Sequence, residues 1–332
     1  MPSSLTSRRA CRAIVACAAL ILAGGAAWAA DECTPSTHVP VPEEVSQSLN
    51  GIPFLLHPGQ LSHGGPPPDG IPSIDLPTFS TVSDAAGWLE PDDLLVVLTH
   101  NGIERGYPFR ILTHHEIVND TVGGDPIVVT YCPLCGSGIA YERTIDCEPV
   151  EFGTSGMLYN SNLVMYDRRT RSLWMQIGGQ AVFGSMSGQW LTPVAVDVVR
   201  WGEWSPHHPD AEILDRGGGY RDYSYDPYDG YDTDYSVWFP VQNVEDGRFH
   251  PKAVIFGIEA GGIRKAYFED AVIENAPFED PVGDTVIRVE RDESGLVTFT
   301  DAADGRVLAK ERDFWFAWYA FYPDTEVYAL AE

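Results

Sequence analysis

One group of residues occurs twice in this chain at a constant separation, and that limits the folds open to it more than any other feature. Pro91, Gly102, Ile103 and Tyr107 recur 160 positions later as Pro251, Gly262, Ile263 and Tyr267, and the apolar run at residues 94–98 recurs at 254–258. Each copy reads as a buried strand, a glycine-containing turn and a second strand. In the first copy Asn101-Gly102 supplies the pair of residues that a tight hairpin turn requires. A duplicated hairpin predicts a pseudo-symmetric, β-rich α+β body, made of antiparallel sheets and hairpins with a few short helices. The copies differ in their downstream sequence: the first leads into a pair of cysteines, and no cysteine comes after the second.

The rest of the chain fits around this frame. Residues 83–89 predict a short helix, residues 164–166 and 172–176 two strands joined by a polar turn, and residues 201–209 a short helix or loop. Residues 31–77 are rich in Pro, Gly and Ser, with Gly64-Gly65-Pro66-Pro67-Pro68 at their centre, and read as an extended arm. The expected organisation is a leader at 1–29, a flexible arm at 30–78 and one domain at 79–332. That domain contains a motif block at 94–191 and the second hairpin at about 251–272.

The leader carries Arg8, Arg9 and Arg12, an apolar run at residues 13–23 and the small-residue stretch ending Ala27-Trp28-Ala29. This is the pattern of a secretory signal cleaved after Ala29, so the mature protein is expected to be secreted or periplasmic. Ser7-Arg8-Arg9 lacks the apolar residues expected after a twin-arginine pair. Ile14-Val15-Ala16-Cys17 has too little apolar sequence before it for a lipoprotein box. No later segment reaches the length of a membrane span. Cleavage would leave 303 residues and move the formal charge from −27 to −30, with Lys252, Lys265 and Lys310 as the only lysines. Such a charge argues against nucleic acid and anionic membranes, which leaves a small molecule or another envelope protein as partner.

The chemistry points to Thr130-Tyr131-Cys132-Pro133-Leu134-Cys135-Gly136. Two thiols at this spacing can chelate a soft metal, form a redox disulfide or brace a turn. A thioredoxin-type pair needs a helix after the first thiol, whereas Gly136-Ser137-Gly138 and then Ile139-Ala140-Tyr141 read as turn and strand. Cys-Pro-x-Cys-Gly between strands matches half of the two-knuckle metal site of rubredoxins and zinc ribbons, with glycine relieving the backbone. After cleavage the cysteines are Cys33, Cys132, Cys135 and Cys147. A Cys33–Cys147 disulfide would leave the other two as a pair, but four thiols allow three connectivities.

The chain also resembles the domain of unknown function family 3179, known from exported or cell-envelope proteins. The resemblance rests on Gly106-Tyr107-Pro108, the block from His115 to Gly124, the cysteine motif and Ser155-Gly156. It continues through the block from Asn160 to Asp167, Thr170 and Trp174-Met175-Gln176. Gly106 departs from the Ala expected before Tyr-Pro. The matching motifs cover residues 94–191, with the family body expected to extend to the C-terminus, and the resemblance implies a domain identity with no activity attached.

His115 and Glu116 precede the thiols in a segment, residues 111–120, that predicts a short helix. On such a helix His115, Asn119 and also His114 would face the knuckle. The expected metal set is Cys132, Cys135 and His115, with His114 as an additional candidate. Met157, Met165 or Met175 could assist, a donor set that favours copper or zinc over hard cations. The alternatives are disulfide exchange at Cys132 and Cys135, and a structural knuckle in a non-catalytic binding module whose groove is lined by Trp174, Trp190, Trp201 and Trp204. Asp167, Arg168 and Thr170 read as a side-chain-held turn. The five aspartates among residues 222–236 lack the spacing of a calcium loop. No phosphate-binding glycine loop, hydrolase triad or H-E-x-x-H motif is present, so no nucleotide cofactor is expected and catalysis is left open.

Overall fold

The duplication in the hairpins extends through whole halves of the body. The computed structural model describes residues 47–217, 221–243 and 246–328. The leader, Cys33 and the first part of the arm lie outside the described residues. The first half runs β1 (Leu94–His100), β2 (Ile103–Pro108), α1 (Phe109–His115), β3 (Ile117–Val122), β4 (Asp125–Cys132) and β5 (Ser137–Glu142). An insertion comes next, with β6 (Phe152–Tyr159), β7 (Asn162–Asp167), β8 (Leu173–Met175) and β9 (Ala181–Phe183). The half closes with β10 (Asp197–Arg200), α2 (Trp201–Trp204) and β11 (Glu212–Leu214). The second half repeats the order as β12 (Val254–Ala260), β13 (Ile263–Phe268), α3 (Glu269–Asn275), β14 (Phe278–Val282), β15 (Thr285–Arg291) and β16 (Val297–Asp301). It ends with β17 (Lys310–Phe314), α4 (Trp315–Phe321) and β18 (Glu326–Val327).

Strand pairing confirms the equivalence. One sheet contains the run β10–β1–β2–β11, with Phe79–Thr81 pairing antiparallel on the outer side of β11, and the counterpart run is β17–β12–β13–β18. In both, the last strand joins parallel and the others antiparallel. Leu95 lies opposite Val199 in the first sheet, as Ile255 lies opposite Asp313 in the second. β1 is apolar from Leu94 to Leu98 because both its faces are covered there. Val96 and Leu98 pack with Ile111 and Leu112 of α1, while Leu95 and Val97 pack with Trp201 and Trp204. The buried Tyr107 hydroxyl donates to Asp120 at 2.6 Å, and Tyr267 donates to Asp280 at the same distance. Each carboxylate also meets a cation from its own hairpin, Arg105 or Lys265, at 2.7 Å. The fold is therefore a β-rich α+β body of antiparallel sheets, short helices and an internal repeat.

Two expectations about local structure change. The helix predicted over residues 111–120 stops at His115, because Glu116 is left-handed (φ 59°) and the β-branched Ile117, Val118 and Val122 continue as strand β3. The second part of the predicted arm is bound to the body. Ser62 and His63 pair with β6, and Ile74 N–H donates to Ile117 O at 2.9 Å. Arg168 holds Asp75 at 2.5 Å and Ser73 at 2.9 Å. Gly156 makes this approach possible: at φ 73° a Cβ there would stand 2.1 Å from Pro66 O. No helix among the described residues is long and apolar enough to cross a membrane.

Candidate functional site

The β4–β5 hairpin ends on the pair Cys132↔Ser137, so both cysteines flank one tight turn, closed by Cys135 N–H donating to Cys132 O at 3.1 Å. Gly136 adopts φ 64°, and a Cβ there would meet the Phe314 ring at 2.9 Å. Glycine is therefore required twice, for the turn and for the approach of β17, whose Phe314 N–H donates to Cys135 O at 2.7 Å. Both thiols are free and buried, Cys132 at 2% exposure and Cys135 at 0%. Their sulfur atoms face Ser161 O at 3.8 Å and 3.5 Å. That carbonyl is presented by the β6–β7 turn, in which Asn160 and Ser161 both take positive φ.

The two thiols are not equivalent. Burial works against a Cys132 thiolate, but donation from the Cys135 thiol and from the N–H groups of Leu163, Cys135 and Leu134 outweighs it and holds the Cys132 pKa below its ordinary value. Burial, donation to Cys132 and the charge of Cys132 push the Cys135 thiol well up. A polar lattice fixes the surroundings. Gln176 accepts from Ser137 Oγ at 2.9 Å and from Asn162 Nδ2 at 2.6 Å, and donates to Thr130 Oγ1 at 3.1 Å. Beside Cys132, burial and then the Cys132 charge lift the Glu116 carboxyl to about 8. Glu116 lines a cavity of about 250 Å³ together with Leu134, Leu163, Tyr228 and Trp238.

The expected ligand set is not assembled. Among the described residues no three His, Cys, Asp or Glu side chains are placed to hold a metal ion. His115 Nδ1 bonds Pro72 O at 2.7 Å and its Nε2 bonds the Tyr223 hydroxyl at 2.7 Å, while His114 Nε2 bonds Tyr225 O at 3.1 Å. The strand after Glu116 carries Asn119 to Phe152 and Asp75 instead of to the knuckle. Met165 and Met175 are core residues and Met157 is partly buried. Asp167 holds its own turn, accepting from Thr170 N–H at 2.5 Å and from Trp174 Nε1 at 2.9 Å. Trp174, Trp201 and Trp204 are buried and Trp190 is exposed; of the four, Trp190 and Trp204 line one cleft of about 650 Å³, and Trp174 and Trp201 do not. Cys33, the suggested partner of Cys147, lies outside the described residues.

Sequence reasoning missed what covers and surrounds the thiols. Residues 221–243 cross the knuckle as a strap, with Tyr231 packed in the thiol cluster and Trp238 at 4.5 Å from its ring. Buried Lys252 clips the strap by donating to the carbonyl oxygens of Tyr231, Asp234 and Ser236. Asp313 and Glu311 arrive on β17, about 180 positions from the cysteines in sequence. The one sequence signal for Lys252 is its rarity, as one of three lysines. For Asp313 the sequence offers no signal, because its counterpart Val199 is recognised only from strand register, opposite Leu95 as Asp313 is opposite Ile255. The family model described as "Protein of unknown function (DUF3179)" matches residues 68–325. No curated protein and no solved structure matches the chain.

Proposed function

The chain belongs to the DUF3179 family, whose description assigns no activity, and from the site alone we propose that it is a thiol–disulfide exchange protein working through Cys132 and Cys135. The observation that carries this reading is the placement of two free, buried thiols on one tight turn with both sulfur atoms facing the Ser161 carbonyl, where donation lowers the Cys132 pKa and burial raises that of Cys135. That is the division of labour exchange requires, one thiolate to attack and one protonated thiol to resolve. The Cys132 thiolate attacks a substrate disulfide, forming a mixed disulfide and releasing one substrate thiolate. Cys135 then loses its proton and attacks the Cys132 sulfur, releasing the second. Two electrons pass to the substrate and the pair becomes a disulfide.

The leader read from the sequence is consistent with this chemistry, because exported compartments are where disulfides form and persist. The strap must shift for a substrate to reach Cys132, since the cavity beside it is lined by Leu134, Leu163 and Glu116 and not by the sulfur. The test is equilibration of the mature protein in glutathione buffers of stepped potential, with thiol counting at each step. A reversible two-electron couple in the wild type, lost in Cys132→Ser, and a mixed disulfide trapped in Cys135→Ser are the expected results. Thiols that stay reduced across the series, or a purified protein holding stoichiometric soft metal on both sulfurs, would overturn the reading.

A further inference from the structure

We infer that the cavity beside the knuckle binds a small methylated ammonium ion, with Glu116 as its counter-ion and aromatic side chains of the strap as its wall. The inference goes beyond the exchange reading and does not depend on it. The cavity has a volume of about 250 Å³, room for roughly eight waters at about 30 Å³ each, so its ligand is small. Three separate segments enclose it: the docked arm with Pro66 and Ile71, the body with Leu134 and Leu163, and the strap with Tyr228 and Trp238.

Glu116 is the one carboxyl in that wall, and among the described residues no basic side chain lines it. The residue is 8% exposed, and its carboxyl makes no hydrogen bond or ion pair with any described residue. Its main chain is satisfied, since the N–H donates to Leu112 O at 2.6 Å and the carbonyl accepts from Tyr131 N–H at 2.8 Å. Only the side chain is left over. The adjacent histidines do not supply a cation, because His115 is held by Pro72 and Tyr223 and His114 by Tyr225. A buried carboxyl without a partner is costly. Burial is the main reason it is raised to about 8; a cation in contact favours the charged form and opposes that shift.

The repeat shows that the fold does not need this carboxyl. Helix α3 ends on Ala276 in extended backbone (φ −61°), at the position where α1 ends on Glu116 in the left-handed region (φ 59°). Glutamate rarely adopts that conformation, and glycine or asparagine would close the helix with less strain.

The rest of the wall decides the chemistry of the ligand. Tyr228 and Trp238 stack at 5.8 Å with 20° between their planes, and the faces of such rings attract ammonium groups. Polar groups near Glu116 are already engaged. Thr154 Oγ1 donates to Ile71 O at 2.8 Å, and Gly156 O accepts from Gly64 N–H at 2.8 Å. A primary ammonium brings three N–H donors that each want an acceptor. A methylated one instead presents methyl groups to leucine and aromatic side chains and its charge to Glu116. The formal charge of −27 draws cations toward the chain and repels anions.

The experiment is isothermal titration calorimetry of the full chain with choline and with 3,3-dimethylbutan-1-ol, which has the same shape with carbon in place of the charged nitrogen. Salt at about 0.5 M screens attraction to the acidic surface. Choline should bind at one site and roughly tenfold or more tighter than the alcohol. Glu116→Gln should remove that preference, and Trp238→Ala should weaken choline on the order of tenfold. Trp238 is half-exposed, so its variant keeps the test open if Glu116→Gln folds poorly. Equal affinity for the two probes, or a preference for the alcohol, would overturn the inference, because the site would then serve neutral molecules. Choline binding unchanged in the folded variants would overturn it as an adventitious counter-ion only, and so would a folded wild type that does not bind choline.

Discussion

Replacing Asp313 with valine should make the protein more stable. Valine has nearly the same shape, and the repeat already uses it, as Val199, at the same place in the first sheet. The wild type buries two carboxyl oxygens with no hydrogen-bond partner among the described residues. Leaving a neutral polar group unsatisfied costs about 1–3 kcal/mol. Two buried methyl groups in place of the oxygens add ~0.8 kcal/mol each by transfer from water. The sum is about 3 kcal/mol. An unfolding entropy of ~2.1 cal/mol/K per residue makes ~0.6 kcal/mol/K for a body of this size, so the expected rise in Tm is ~5 °C. The gain must also depend on pH. The folded pKa of Asp313 lies well above its ordinary value of 3.8, so its contribution to stability is complete below 3.8 and is lost as pH rises toward the folded value. The gap between variant and wild type should therefore widen from pH 4 to pH 8. Urea unfolding of both reduced proteins at the two pH values measures it. A variant less stable than wild type at neutral pH, or a gap that stays constant, would refute the reasoning, because it would mean that the carboxyl has a strong partner.

The same geometry sets three further expectations. Burial, ahead of the nearby Arg221 and His114, holds the His115 pKa below 6.5; the neutral ring's bond from the Tyr223 hydroxyl therefore stabilises the protein above pH 6.5 and is lost as pH falls below it. Tm should drop between pH 7.5 and 5.5 by an amount corresponding to about 1 kcal/mol, and less in His115→Phe. Gly136→Ala places a methyl 2.9 Å from the Phe314 ring at φ 64° and should cost about 3 kcal/mol in chemical denaturation, whereas a loss below half that would show β17 free to move aside. Lys252→Met frees three strap carbonyls; native-state alkylation of Cys132 by iodoacetamide should accelerate on the order of tenfold, and an unchanged rate would show that the strap does not gate the thiols.

Features that depend on neighbours in sequence were legible. The β1–β2 hairpin and its copy appear where the matched Gly-Ile and Tyr residues put them, because turn chemistry and apolar runs act over a few residues. The knuckle with its glycine was legible for the same reason. The pairing of His115 with the thiols was not. A single left-handed residue, Glu116, ends the helix and turns the next strand to other partners, and nothing in the segment's periodicity announces it. The docking of the arm was equally hidden, because proline and glycine mark irregular backbone without saying whether another strand receives it, as β6 does here through Gly156.

Sequence by itself determined a duplicated β-rich body, two thiols on one tight turn and a strongly acidic surface, since each arises from local pattern or from composition. Only the tertiary structure decided what those thiols meet. The β6–β7 turn sets Ser161 against both sulfurs, the strap seals them, and the register of β17 against β12 buries Asp313 opposite Ile255 and puts Glu311 on the cleft wall. Sheet pairing joins segments far apart in the chain, and a shift of one residue in that pairing would turn both carboxyls to the opposite face.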